Sequence, residues 1–94
     1  MEKVVHCKRE KYDVYIGRPA RGLLGSIWAN PFKIGPDGTR EQVIAKYREY
    51  VLCKPELLAQ LESLRGKVLA CWCAPQACHG DVLVELLNQA ERSN

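Results

Sequence analysis

The sequence predicts a small α/β protein with a single-layer sheet that contains at least two parallel strands and is flanked by about three helices. Residues 4–7 and 13–16 have the β-branched and aromatic composition of strands. Two amphipathic helical segments follow, and then a near-continuous apolar run at residues 67–73, as expected for a strand buried on both faces. A further amphipathic helix comes after this run. We expect one domain over residues 1–94 and expect the strands at 13–16 and 67–73 to be parallel neighbours.

A long loop separates the second strand from the first helix. Pro19 ends that strand because it fixes its own φ and restricts Arg18. Residues 19–38 then carry four glycines and three prolines, and a loop of this length in a small domain is usually functional. Within it, Trp28 is expected in the core and the role of Phe32 stays open. We expect the loop to pack down through its apolar side chains, Leu23, Leu24, Ile27, Trp28 and Phe32.

The helices have recognisable starts and ends. Residues 39–42 match a capping box, and apolar residues at helical spacing follow them. Pro55 is at the favoured first position of a second helix, and Gly66 is suited to a left-handed C-terminal cap. The last helix is expected over residues 79–89, starting at position 79 or 81. The predicted buried stripe of the second helix is Leu57, Leu58, Leu61 and Leu64.

Composition limits the location and the partners. The net charge of +3 is compatible with a phosphate-bearing ligand and requires none. No stripe of alternating basic and aromatic residues favours nucleic acid. No apolar run approaches the ~20 residues that span a bilayer, and the first residues lack the apolar core of a secretory signal. We therefore expect a cytoplasmic protein without a membrane partner, whose five cysteines are thiols rather than disulfides. The small core leaves a homodimer that completes the pocket open.

The strongest functional signal lies at residues 71–81, where a strand passes through a turn into a helix. Backbone N–H groups and the positive end of the helix dipole converge there and stabilise a thiolate. Cys73 and His79 enclose five residues, as Cys and Arg do in the loops of phosphatases and rhodaneses, where N–H groups bind an oxyanion while the cysteine attacks. His79 lacks the bidentate fork of arginine, which argues against a tyrosine-phosphatase-like enzyme.

Three interpretations of this loop stay open. Its cysteines pack a tight turn, or the loop binds a ligand, or it is catalytic, with Cys73 or Cys78 as nucleophile and His79 as acid–base partner. A zinc site is a further possibility, with Cys71, Cys73, Cys78 and His79 as ligands. This spacing is cramped and differs from paired zinc knuckles, so neither a metal nor a cofactor is expected.

A second candidate, Gly17-Arg18, follows another strand. Because the carboxyl ends of parallel strands meet at one edge, we expect Arg18 and Cys73 to open onto a shared hollow. Arg18 suits a ligand phosphate or carboxylate, and the alternative is a surface ion pair with Asp13 or Asp37. Asn30 and Asp81 have capping as their alternative role. The candidate ligand-binding residues are Gly17, Arg18, Asn30, Phe32, Arg40, Cys73, His79, Gly80 and Asp81.

Several short motifs are spread over residues 14–87. They are Tyr15-Ile16-Gly17-Arg18-Pro19, Asn30-Pro31-Phe32, Thr39-Arg40-Glu41, Cys71-Trp72-Cys73-Ala74-Pro75 and Cys78-His79-Gly80-Asp81. Together they resemble the family called domain of unknown function 4326, which comprises small bacterial and phage proteins. The resemblance implies a compact cytoplasmic α/β module and no particular activity. The Cys-loop-Cys-His element is also similar to one in the domain of unknown function 488 family.

Two functions of different classes follow. The first is a protein that binds a small anionic molecule, a nucleotide or nucleotide-derived anion, at the Cys-His-Gly element. In a phage setting, in the host cytoplasm, such a module would sequester a signal, an idea that rests on the family's distribution. The alternative is a small cysteine-dependent transferase or hydrolase with a nucleotide-like substrate. A nucleic-acid module, whose binding would weaken steeply with salt, is the least favoured.

Overall fold

A computed structural model describes residues 2–20, 22–74 and 76–92, and the side chains only as far as residue 89. The predicted α/β class is confirmed, because three helices accompany one three-stranded parallel sheet within these residues. A 3₁₀ turn at Leu61–Leu64 follows the second helix. In chain order the strands and helices are β1 (Lys3–His6), β2 (Val14–Tyr15), α1 (Arg40–Leu52), α2 (Pro55–Gln60), β3 (Val68–Cys71) and α3 (His79–Arg92).

The sheet has three parallel strands in the order β1-β3-β2. The predicted pairing of the second and central strands is confirmed, and Ala70 of β3 lies opposite Val5 on one side and Tyr15 on the other. The outer strands β1 and β2 have four and two residues, and the chain turns away after each of them. Trp72 and Cys73 therefore lie beyond the paired region, and β3 ends earlier than the apolar run predicts. All three strands end at the same edge of the sheet.

The helices close the core over this sheet. The predicted capping box is present at Thr39 and Gln42, and Pro55 is the first residue of α2. Gly66 has a φ of 75°, as expected for a left-handed cap. Helix α3 packs on α1, β1 and β3, and it continues to Arg92, beyond the predicted end. The largest fully buried side chains are Tyr47, Ile16, Leu64, Leu69, Leu83, Leu87, Val51 and Cys71.

Two expectations about apolar side chains are wrong. Leu58 is 39% exposed, because the buried face of α2 and the 3₁₀ turn is formed by Leu57, Leu61 and Leu64. In the long loop, Trp28 is buried as predicted, but Leu24 is 89% exposed and Ile27 is also exposed. The loop is held by other contacts instead. The buried Tyr47 hydroxyl donates to the Trp28 carbonyl at 2.7 Å, and the Ser26 N–H donates to the Gly17 carbonyl.

Candidate functional site

A cavity of about 470 Å³ lies at the edge of the sheet where the strands end. Its walls come from the ends of β2 and β3, the long loop, the first half of α1 and the start of α3. Arg18 and Cys73 both line it, so the hollow that the strand ends predict is present. Gly17, Asn30, Phe32, Arg40, Cys78 and His79 line it as well.

Arg18 holds the loop wall of the cavity in place. Its Nε and Nη2 donate to the Asn30 carbonyl at 2.9 and 2.7 Å, and Nη2 donates to the Phe32 carbonyl at 2.9 Å. These bonds replace the ion pair with Asp13 or Asp37 that the sequence left open. Asp13 instead accepts the Val68 N–H, and Asp37 accepts the Lys33 N–H. Among the hydrogen bonds between described residues, none involves the Nη1 of Arg18.

Asn30 is buried and forms the turn beneath that wall. Its Oδ1 accepts the Phe32 N–H at 3.0 Å, and its Nδ2 donates to the Val43 carbonyl at 3.3 Å. The amide therefore acts as a turn cap, which was the alternative to ligand binding. Phe32 packs edge-on against Tyr50 and stays half-buried at the cavity wall.

Arg40 holds a second wall of the cavity, which the loop between β3 and α3 forms. Its Nη1 donates to the Ala77 carbonyl at 3.0 Å, and its Nη2 donates to the Gln76 Oε1 at 2.9 Å. A cation in the first turn of α1 is unfavourable with the helix dipole. Its bonds to the loop between β3 and α3 offset that cost, and the residue stays part of the cavity lining.

The two candidate nucleophiles differ in electrostatics. The pKa of Cys73 is raised by its hydrogen bond with Cys71 and by burial, despite the opposing effect of Arg40. The pKa of Cys78 is lowered, mainly by its hydrogen bond with Cys71 and further by the Gly80 N–H, which donates to its Sγ at 3.3 Å. Of the two, Cys78 is therefore the better candidate for a thiolate.

His79 is buried and neutral. Its Nε2 lies 2.7 Å from the Ile16 carbonyl oxygen, so Nε2–H is the donor and Nδ1 is an acceptor. Burial lowers the pKa of its imidazole, and the ring meets Tyr47 edge-on. The residue therefore adds a polar ring to the cavity without adding a positive charge.

Three polar or aromatic residues of the lining were not predicted from sequence as site residues, Tyr15, Lys33 and Trp72. The Trp72 Nε1–H donates to the Tyr15 hydroxyl at 2.8 Å, which joins two aromatic rings at the cavity. Lys33 is exposed and lines the cavity beside Phe32. Trp72 and Tyr15 stand within the motifs already singled out, so their place at the strand ends was a usable signal. Lys33 lies in an irregular loop without any such signal.

Gly80 and Asp81 are not among the described residues that line the cavity. Gly80 is buried where α3 meets the sheet, and a Cβ on it would lie 2.8 Å from Ile16 and 2.9 Å from Val4. Asp81 is exposed, and its Oδ2 accepts the Cys78 N–H at 3.1 Å. Gly80 therefore allows close packing of α3 on the sheet, and Asp81 caps the start of that helix.

We expect Gly80→Ala to destabilise the fold. Overpacking against Ile16 and Val4 costs about 1–3 kcal/mol, and the better helix propensity of alanine offsets at most about 1 kcal/mol of it. Urea unfolding measures the loss. Adding Val4→Ala removes two of the crowded atoms, so the cost of Gly80→Ala should be smaller in a Val4→Ala background. A Gly80→Ala protein as stable as the parent would contradict this packing role.

The charge of the cavity lining has one sign. Arg18, Lys33 and Arg40 contribute three cations, and the described lining residues include no aspartate or glutamate. Aromatic rings of Tyr15 and Trp72 stand beside them. Within the described ranges, no three His, Cys, Asp or Glu side chains form a group that could hold a metal ion. No helix there is long and apolar enough to cross a membrane.

Fold and site together define a small α/β protein with a cationic, aromatic cavity at the carboxyl edge of its parallel sheet. The chain belongs to the family described as a domain of unknown function (DUF4326), whose model matches residues 3–89. It is 34% identical to "Uncharacterized protein R718" of Acanthamoeba polyphaga mimivirus, over 95% of this chain and 82% of the relative. It is 33% identical to the "Uncharacterized 12.4 kDa protein in nrdA-td intergenic region" of Enterobacteria phage T4, over 93% and 78%. No solved structure matches the chain.

Proposed function

We propose that this protein binds a small anionic ligand of nucleotide size in the cavity. The observation that carries the proposal is the lining, which combines three cations and several aromatic rings with no described carboxylate. A volume of about 470 Å³ is within the range of about 300–1,000 Å³ typical of small-molecule sites. Cations favour a phosphate, and aromatic rings favour a planar base.

The contacts of the helix start favour the arginines as the phosphate site. The Cys78 N–H is already bonded to Asp81, and the Gly80 N–H is bonded to the Cys78 Sγ. The Cys78 and Gly80 N–H groups at the start of α3 are thus already hydrogen-bonded within the chain. We therefore expect the phosphate beside Arg18, Lys33 and Arg40, and the base against the rings of Phe32 or Trp72.

We also propose a cellular role for this binding, which is sequestration of the ligand. All five cysteines are free thiols, which suits the reducing cytoplasm of a cell. The relatives reported above are viral proteins. A viral protein of this kind would sequester a nucleotide or a nucleotide-derived signal in the host cytoplasm.

Calorimetric titration with three matched compounds tests the binding. Adenosine 5′-monophosphate, adenosine and inorganic phosphate separate the contributions of base and phosphate. We expect the monophosphate to bind roughly tenfold or more tightly than either part, with an affinity that falls as salt rises. Equal affinity for adenosine would contradict the proposal. So would a failure of adenosine 5′-monophosphate and of the nucleoside monophosphates with the other bases to bind at all.

Lys33→Gln should weaken nucleotide binding by about three- to tenfold, because one exposed cation near a phosphate contributes about 1 kcal/mol. Lys67→Gln is the matched control, since it removes the same charge just before β3, at the opposite edge of the sheet. The same calorimetric titration measures both variants. Equal effects of the two substitutions would show that net charge, rather than the cavity, attracts the ligand.

The alternative, a cysteine-dependent transferase or hydrolase, has one observation in its favour. Cys78 lines the cavity and its pKa is lowered. This alternative predicts that a bound nucleotide is converted to a product visible by mass spectrometry. Turnover should then be lost in Cys78→Ser while binding is kept. If no product forms from any compound that binds, the binding function alone stands.

A further inference from the structure

Two thiols lie in contact at the inner end of the cavity. The Sγ atoms of Cys71 and Cys78 are 3.1 Å apart, and both residues are buried and line the cavity. Cys71 ends β3, and Cys78 immediately precedes α3. A disulfide needs an S–S distance of about 2.05 Å, so the two sulfurs must approach by only about 1 Å.

The surroundings of Cys78 single it out as the reacting member of the pair. Its Sγ accepts the Gly80 N–H in the first turn of α3, where the helix dipole favours negative charge. The contact with Cys71 contributes most to lowering the pKa of Cys78, whereas the pKa of Cys71 is raised on balance. Cys78 is thus the more readily ionised of the two thiols, and Cys71 lies within reach as the second thiol.

From this geometry we propose that Cys71 and Cys78 form a redox-active dithiol, which a small peroxide entering the cavity oxidises to a disulfide. The Cys78 thiolate attacks one peroxide oxygen, the O–O bond breaks, and a sulfenic acid and hydroxide form. The Cys71 sulfur then attacks the Cys78 Sγ, and the S–O bond breaks. The hydroxide displaced from sulfur takes the proton of Cys71 and leaves as water, and the hydroxide from the first step takes up the proton that Cys78 released on ionising. Overall, two thiols lose two electrons and hydrogen peroxide becomes two waters.

Cys73 and Cys53 provide internal comparisons in the same chain. Cys73 lines the cavity as well, but its pKa is raised rather than lowered. Cys53 is exposed at the end of α1, far along the chain from the thiol pair. If exposure alone decided reactivity, Cys53 would be oxidised first. The proposal predicts the opposite order.

The test treats the reduced full-length protein with stoichiometric hydrogen peroxide near neutral pH. Remaining thiols are then alkylated and the peptides are mapped by mass spectrometry. We expect an intramolecular Cys71–Cys78 link, formed roughly tenfold or more faster than Cys53 is oxidised. A link through Cys73 or Cys53, or oxidation of Cys53 first, would overturn the proposal. This measurement uses the parent protein and therefore does not depend on a variant that folds.

Two variants refine the assignment. Cys73→Ser should keep the Cys71–Cys78 link, and losing the link would show that Cys73 is the partner. In Cys71→Ser, dimedone should trap a sulfenic acid at Cys78, because the second thiol is gone. Dimedone labelling at Cys73 instead would contradict the assigned order. None of these outcomes requires a ligand, so the dithiol and the proposed nucleotide binding can fail independently.

Discussion

Replacing Arg18 with methionine is expected to weaken nucleotide binding by about ten- to hundredfold. The guanidinium holds the carbonyls of Asn30 and Phe32 with three hydrogen bonds, and its Nη1, which donates to no described residue, is expected to contact the phosphate. Methionine keeps the aliphatic bulk but removes both the positive charge and the clamp. Calorimetric titration with the best-bound nucleotide measures the change. Urea unfolding of the same variant should show a loss of about 1–2 kcal/mol from the missing hydrogen bonds.

Arg18→Lys separates the two roles of this side chain. Lysine keeps the charge but lacks the planar fork that contacts two carbonyl groups at once. We expect stability close to that of the methionine variant and an affinity between those of the parent and Arg18→Met. If lysine gave the full affinity and the full stability, the charge alone would matter. The structural role of the Arg18 hydrogen bonds to Asn30 and Phe32 would then be wrong.

Arg18 and Arg40 together explain how the small cavity keeps its shape. Each arginine reaches across to a loop, Arg18 from the segment that follows β2 and Arg40 from the first turn of α1. Arg18 donates to two backbone carbonyl groups, and Arg40 donates to one backbone carbonyl and to the side chain of Gln76. The loops that form the two walls are thus fixed by cations that also set the charge of the cavity.

The meeting of Arg18 and Cys73 could be predicted from sequence because it follows from topology. Two strands were identified from composition, and parallel neighbours must end at the same edge. The capping box and the cap at Gly66 were predictable for a similar reason, since they depend on local backbone chemistry. What sequence could not give was the path of the long loop. The contribution of Lys33 depends on that path.

Buried polar roles were the other limit of the sequence analysis. His79 was a plausible acid–base group, yet its burial and its bond to the Ile16 carbonyl make it a neutral donor. Those facts depend on the distance between β2 and α3, which no local pattern encodes. Gly80 likewise reflects how closely α3 approaches Val4. The spacing of cysteine and histidine in the chain identified residues 71–81 as the important segment. The roles of His79 and Gly80 depend on three-dimensional packing and could not be predicted from it.

Stability is expected to fall as the pH drops below about 6.5, because of His79. Burial lowers the pKa of the folded imidazole, so between its folded and unfolded values the unfolded chain binds a proton that the folded chain does not. The free energy of unfolding then decreases with falling pH by at most about 1.4 kcal/mol per pH unit. Below the folded value the imidazole adds no further loss. Urea unfolding between pH 7.5 and about 5 measures the slope.

His79→Gln should flatten this slope, because the glutamine Nε2 can still donate to the Ile16 carbonyl but does not titrate. The Gly66 N–H, which donates to the Glu2 carboxylate, holds the pKa of that carboxyl below its ordinary value. The stability that Glu2 contributes is therefore lost only at a lower pH than the loss caused by His79. NMR titration of the parent protein provides a check without a variant. A His79 ring that becomes charged at or above pH 6.5 would contradict its buried, neutral role, whatever the variants do.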